Sequence, residues 1–309
     1  MVAPAVMPIP SDGWGAVERV IWETTQELRR RGHKVHILNS MALKDKVLAA
    51  LRFPQVVQVH WEYFLPRWVQ FGRLTGARVV STSHSGPYLE RVANRGEEFD
   101  LLALVGEHWA LSPQYAERLA EYFPQARVER IRNGVAVERF RHGVPGNGRA
   151  ILLAMWRDLK GQERAWKLLG EAGVPCDFVG PGAPYEPGYQ EGSCRYLGTW
   201  TQGDVEQRLC EYSALLLPSL VESAEPLVVL EAQAAGIPVV ISPDIRPNFD
   251  VLRPGMSVAA LDDGFAAAVT AAIGERDALG ATIRANAERE LSWVAVADRF
   301  EELVLGRRR

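Results

Sequence analysis

Strand-like and helix-like stretches alternate along most of this 309-residue chain, pause at a short glycine-rich segment, and then begin again. Short apolar runs fit strands at 35–38, 56–60, 78–83, 109–112 and 128–131, with helical patterns between them. Residues 16–31 read as a helix, because Val17, Val20, Ile21, Thr24 and Leu28 recur on one face and Gly32 supplies the stop. After 141–149, which holds three glycines and a proline, strands are expected at 151–155, 177–179, 195–197, 214–217 and 239–241. Such an order requires parallel sheets covered by helices on both faces. The fold class is therefore α/β, two Rossmann-like doubly wound domains. The domains are read as 1–143 and 149–290, with 291–309 a C-terminal helix that can pack back toward the first. Only Met1–Ala5 is left for an opening strand ahead of Pro8, Pro10 and the turn around Gly13, so the first strand is expected to be short or partly missing.

Composition narrows the classes. Apolar residues make up 47%, enough for two cores, and no apolar run is long enough to cross a bilayer. Met1 leads into a proline-rich stretch with no basic start, which does not read as a signal peptide. Cys176, Cys194 and Cys210 show neither a CxxC pair nor metal spacing, so a reducing, cytoplasmic setting is expected. Residues 1–145 hold 19 Lys and Arg against 15 Asp and Glu, and the remainder 16 against 23. A net charge of −3 does not suit nucleic acid. The basic N-terminal half suits an anionic partner, such as a membrane surface or a phosphorylated acceptor, although chance asymmetry explains it equally well.

Four places carry candidate chemistry. The strongest is 218–238, where Pro218-Ser219 closes a strand, Pro226 suits a helix first turn, and Gly236 ends the helix. Glu231 lies in an otherwise apolar helix body and needs a partner: a pair of ligand hydroxyls, a nearby arginine or a backbone N–H. The start of that helix, at Pro226 and Leu227, offers free N–H groups to an anion such as a diphosphate. Second, Arg157 and Lys160 follow the first strand of the second half, at the edge where ligands bind in doubly wound sheets. Third is the glycine loop ending at Gly15, which is not GxGxxG and so argues against a nicotinamide dehydrogenase. Fourth is His84, which ends a strand ahead of Ser85-Gly86-Pro87; a lone histidine there is as readily structural as catalytic.

Taken in order, several blocks resemble glycosyltransferase family 4, of the retaining GT-B class. They are 13–20 with 31–35, then 128–140 carrying Asn133-Gly134-Val135, then 218–240 from Pro218-Ser219 through Leu230-Glu231-Ala232 to Gly236-Ile237-Pro238. The resemblance implies two domains facing a central cleft, with the acceptor on the first and a nucleotide sugar on the second. It gives Glu231 the ribose hydroxyls, as the second acid of an E-x7-E motif. It makes Glu222 the acid that contacts the donor sugar. Eight residues separate Glu222 from Glu231, so the strict register falls on Ser223, and Glu225 is a further candidate. Arg157 and Lys160 would neutralise the diphosphate, and His84 would contact the donor sugar. The Gly15 loop would approach the diphosphate or acceptor, and backbone at Gly180, Gly182 and Thr199 would touch phosphate and base.

The expected reaction moves a sugar from a nucleotide-diphosphate sugar, UDP- or GDP-linked, to a hydroxyl of a saccharide, lipid-linked or small-molecule acceptor. No metal or other cofactor is expected. The alternatives are a non-catalytic nucleotide-sugar or glycan-binding protein, and a GT-B epimerase. The latter calls for more acid–base residues than His84 and Glu62 provide.

Overall fold

The computed structural model describes residues 1–11, 15–84 and 100–305, and of Leu43 the backbone alone. The turns expected at 12–14 and 85–87 lie outside the described residues. Contacts divide the chain into two units, one comprising Met1–Gly134, Ser223–Glu225 and Trp293–Arg309, the other Val135–Glu222 and Pro226–Ser292.

The first unit runs α1 (Ala16–Arg30), α2 (Leu43–Ala50), β1 (Val56–Val59), α3 (Leu65–Thr75), β2 (Arg78–Ser81), β3 (Glu107–Ala110), α4 (Pro113–Tyr122) and β4 (Arg127–Arg130). Its strands form a parallel sheet in the order β1-β2-β3-β4. The opening segment extends this sheet by single pairings rather than as a full strand. Val2 bridges to Leu38 on one side and to Val59 on the other, through Val2 N–H to Gln58 O and Ala3 N–H to Leu38 O, each 2.8 Å. The strand expected at 35–38 is reduced to that one bridge. The strand expected at 109–112 lies two residues earlier, at 107–110, and stops short of Ser112, which serves as the cap of α4 and accepts from Tyr115 N–H at 3.2 Å. Alternation along the strands sends Val79 and Ala110 to one core, with Leu65, Trp68 and Leu119. It sends Val80, Trp109 and Leu111 to another, with Leu28, Phe300 and Leu303.

The second unit runs β5 (Ala150–Leu153), α5 (Gln162–Glu171), β6 (Cys176–Val179), β7 (Gln190–Glu191), β8 (Cys194–Tyr196), α6 (Gln202–Arg208), β9 (Ala214–Leu217), α7 (Leu227–Ala235), β10 (Val239–Ile241), β11 (Met256–Val258) and the long α8 (Phe265–Glu290). The last helix, α9 (Trp293–Leu305), belongs to the first unit. The second sheet has the order β11-β10-β9-β5-β6-β8-β7, parallel except for the β7–β8 pair. From β5 the chain moves outward through β6 and β8. It then returns to the other side of β5 and moves outward again through β9, β10 and β11. The carboxyl ends of β5 and β9 therefore flank the point where strand order reverses, where doubly wound sheets bind ligands. The central strands β5 and β9 are apolar along their whole length, as burial on both faces requires: Ala150–Leu153 and Ala214–Leu217 are buried throughout.

Candidate functional site

Two loops meet at the reversal point of the second sheet. Beyond β5 the chain forms a single helical turn, Asp158–Lys160, closed by Gly161 in the left-handed conformation at φ 70°. A side chain there would place its Cβ 2.5 Å from Pro218 O, so glycine alone lets this turn lie against the end of β9. Leu220 N–H donates to Leu159 O at 2.8 Å and ties the loop after β9 to the turn. Gln162, fully buried, closes the turn from inside by donating to Met155 O at 2.7 Å. The outcome is an ion pair between Lys160 Nζ and Glu222 Oε1. The backbone of Glu222 is held in turn by Asn248, whose buried amide donates to Glu222 O at 2.8 Å. Arg157, the residue that precedes the turn, is exposed and directs its Nε toward the Met155 sulfur, at 3.1 Å.

The three residues following Glu222 group with the first unit. Ser223 O accepts from Ser112 Oγ at 3.4 Å, and Ala224 packs with Leu28, Val80 and Trp109. Glu225 is buried, with Arg132 3.7 Å from its carboxylate and Asn133 Nδ2 donating to its carbonyl at 3.2 Å. Of the three candidates for the first acid, Glu222 is therefore the one paired with a candidate phosphate-binding cation.

Pro226 caps α7 rather than opening it, and no side chain of the cap residue closes the first turn. Gly236 ends the helix in the left-handed conformation at φ 75°. Seven consecutive residues from Val229 to Ala235 are buried, Glu231 among them. Its Oε1 accepts from Gln202 Nε2, at 3.1 Å, on the first turn of α6. That turn is fixed by a capping box in which Thr201 and Asp204 bond each other's backbone N–H. Thr199 lies two residues before the cap and is exposed. Gly180, at φ 140°, touches Ala154 O so closely that no side chain fits. Its N–H reaches Gly198 O at 2.9 Å, and its carbonyl accepts from Tyr196 Oη at 2.8 Å. Gly182 follows at φ 86°, with Trp156 N–H donating to Pro181 O between them. The loops after β5, β6 and β8 thus run backbone against backbone, and the N–H and carbonyl of buried Gly180 are both taken up within this edge, so the expected contact of Gly180 backbone with phosphate is not available there.

In the first unit, His84 follows β2 and His60 follows the neighbouring β1. Their rings stack at 5.2 Å, with His60 Nδ1 and His84 Nε2 2.9 Å apart. Burial lowers the His84 pKa to about 4, although part of the residue reaches solvent, and lowers that of His60 well below its usual value. Both rings are therefore neutral at pH 7, one donating the shared proton and the other accepting. Gly15 caps α1, and a Cβ there would meet the Ser11 side chain at 3.0 Å and Glu18 Oε2 at 3.3 Å. Glu62 is buried in the turn Glu62–Phe64. Sequence reasoning missed Gln202, Asn248, Gln162 and His60. Only the Thr201-x-x-Asp204 cap could have drawn attention to Gln202; nothing in the local pattern marks the other three.

Residues 150–275 match the family model described as Glycosyl transferases group 1. No curated protein matches the chain in sequence. Among solved structures, sucrose-phosphate synthase from Thermosynechococcus elongatus superposes with a TM-score of 0.76 at 14% identity, covering 99% of this chain and 97% of that one. A glycosyltransferase from Rickettsia africae gives 0.72 at 12% identity, covering 94% and 95%. Anabaena HepE, in complex with UDP and glucose, gives 0.69 at 14% identity, covering 91% and 88%. The fold is that of the GT-B glycosyltransferases, with two Rossmann-like domains, and the second of these matches the group 1 glycosyl transferases over residues 150–275.

Proposed function

We propose that this protein transfers a sugar from a nucleotide-diphosphate sugar, UDP- or GDP-linked, to an acceptor hydroxyl with retention of configuration. The observation that carries the reading is the placement of Lys160, Glu222 and Glu231 in the matched second unit. The Lys160–Glu222 pair lies beside the strand-order reversal, and Glu231 is buried on the helix that follows. Glu231, fixed by Gln202, takes the two ribose hydroxyls. Lys160 and Arg157 take the diphosphate oxygens, with the uncapped first turn of α7 adding its dipole. Before the donor binds, Lys160 is neutralised by Glu222. Phosphate oxygens replace that partner and leave the Glu222 carboxylate to accept from a sugar hydroxyl.

Bond breaking builds negative charge on the leaving diphosphate, which Lys160, Arg157 and the helix terminus stabilise. The acceptor hydroxyl attacks the oxocarbenium-like carbon from the face the diphosphate leaves, and a phosphate oxygen takes its proton. His84, a neutral ring, contacts the donor sugar as a hydrogen-bonding group. Gly182 and Thr199 offer backbone to phosphate and base, Gly180 holds the loop in place from within, and the Gly15 loop approaches diphosphate or acceptor. No step requires a metal ion, which turnover in the presence of a chelator tests. The assay for the whole reading is release of nucleoside diphosphate from UDP-, GDP-, ADP- and TDP-sugars in the presence of saccharide and lipid-linked acceptors. One donor is expected to turn over, and Glu222→Gln to slow it. Nucleotide binding without any release would make this a binding protein instead.

A further inference from the structure

The short helix α2 is built inside out. Lys46 faces the protein, buried, with its ammonium 4.9 Å from the Phe64 ring centre. Val47, Leu48 and Leu51 face outward and are 48%, 58% and 60% exposed. With Lys44 they occupy i, i+3, i+4 and i+7, a single helical face. The surface continues past the helix to Phe53, 72% exposed, and before it to Met41, 61% exposed. An ordinary surface helix turns such a stripe to the core; here, among the described side chains of the helix, Ala49 is the one that joins the apolar cluster of β1 and α3. Single exposed apolar residues need no explanation, but five within thirteen residues form a surface that some other apolar phase covers.

The charges around the stripe indicate which phase. Lys44 and Arg52 are exposed at its two ends, while Asp45, the one acid of the segment, bonds Ser40 Oγ at 2.6 Å. His36 lies nearby in an electropositive field: after burial, the charges of Arg52 and Arg29 are what lower its pKa. An apolar stripe rimmed by cations is the pattern of a helix that lies in a bilayer interface, its aliphatic side chains among acyl chains and its basic residues among anionic headgroups.

We propose that the surface formed by Met41, Val47, Leu48, Leu51 and Phe53, with Lys44 and Arg52, docks the first unit onto an anionic lipid bilayer. This rests on the surface alone and stands whether or not the second unit transfers sugar. The test is co-sedimentation of the full chain with vesicles of phosphatidylcholine alone and of phosphatidylcholine with phosphatidylglycerol at 3:1, a mixture of about one quarter anionic lipid chosen from the dependence on surface charge. The parent should pellet with the anionic vesicles and be released by high salt. Leu48→Ser/Leu51→Ser and Arg52→Glu should each weaken partitioning by about tenfold or more. Both variants should keep the parent's circular dichroism spectrum, because every altered side chain points to solvent. No binding to anionic vesicles, or equal binding by parent and variants, overturns the proposal. So does a concentration-dependent dimer in sedimentation velocity that Leu48→Ser/Leu51→Ser abolishes, since a second copy would then cover the face.

Discussion

Replacing Glu231 by alanine separates a ligand-binding carboxylate from a structural one. The carboxylate sits on an otherwise apolar part of α7, where it accepts from Gln202 Nε2 at 3.1 Å. Deleting it removes a buried charge along with that bond. Gln202 is only half-buried and regains its bond with water. Alanine is also the best helix former, so the net stability change should stay within about 1 kcal/mol, equivalent to roughly 2–4 °C in a unit of this size. Binding should suffer more. Hydrogen bonds to a charged group are worth about 1.5–3 kcal/mol each, and ribose offers two hydroxyls, so affinity for the nucleoside diphosphate should fall by about 10²-fold or more. Calorimetric titration of the folded variant beside a thermal melt gives both quantities. Unchanged affinity, or a melt lowered by about 10 °C or more with normal affinity, would refute the reasoning.

Other expectations follow from the same geometry. Lys160→Ala should weaken nucleoside diphosphate by roughly 1.5–3 kcal/mol while leaving the unphosphorylated nucleoside unaffected; calorimetry with both ligands checks it, and equal losses would move the phosphate site elsewhere. His84→Ala should reduce turnover about 10²-fold with nucleotide affinity preserved. Because the variant strands the buried His60 Nδ1 at a cost of roughly 1–3 kcal/mol, the rate must be read at a temperature where circular dichroism shows it folded. A melted variant with near-normal specific activity would make His84 structural. Acid should destabilise the first unit through its neutral histidines. His108, fully buried with its Nδ1 2.6 Å from Ser81 Oγ, has a pKa lowered by burial to about 4, like His84. Unfolded histidine titrates near 6.5, so the unfolded state binds more protons between these values. Stability should be level above about pH 6.5 and fall toward pH 4, by about 2 kcal/mol at pH 5 for His108; a level melting temperature from pH 7 to 4 would contradict this.

The fold class could be read because parallel, doubly covered strands leave a strong local trace. Ala214–Leu217 and Val239–Ile241 are apolar from end to end, and both form strands at the expected positions. Errors arose where a neighbour decided the outcome. At 151–155 the strand stops at Leu153, since beyond it the chain lies against Gly180 and Pro181. β7 and β11 depend on pairing to β8 and β10 and have little pattern of their own. In the same way, sequence marked Lys160 and Glu222 separately, but not as a pair. Their meeting needs Gly161 against Pro218 and the adjacency of β5 and β9, which are long-range facts. Glu225 stands in the sequence as a further candidate beside Glu222. Nothing in its local sequence says that Arg132 and Asn133, far away in the chain, would stand beside it.

The central claim is that the second unit binds a nucleoside diphosphate at Lys160 and Glu231. Calorimetric titration of the full chain with UDP, GDP, ADP and TDP, repeated on Lys160→Ala and Glu231→Ala, tests it most directly. The account predicts that one base is bound selectively, that both variants lose affinity for it, and that only Glu231→Ala loses affinity for the corresponding nucleoside. Binding of none of the four by the folded parent, or equal affinity in parent and both variants, would contradict it.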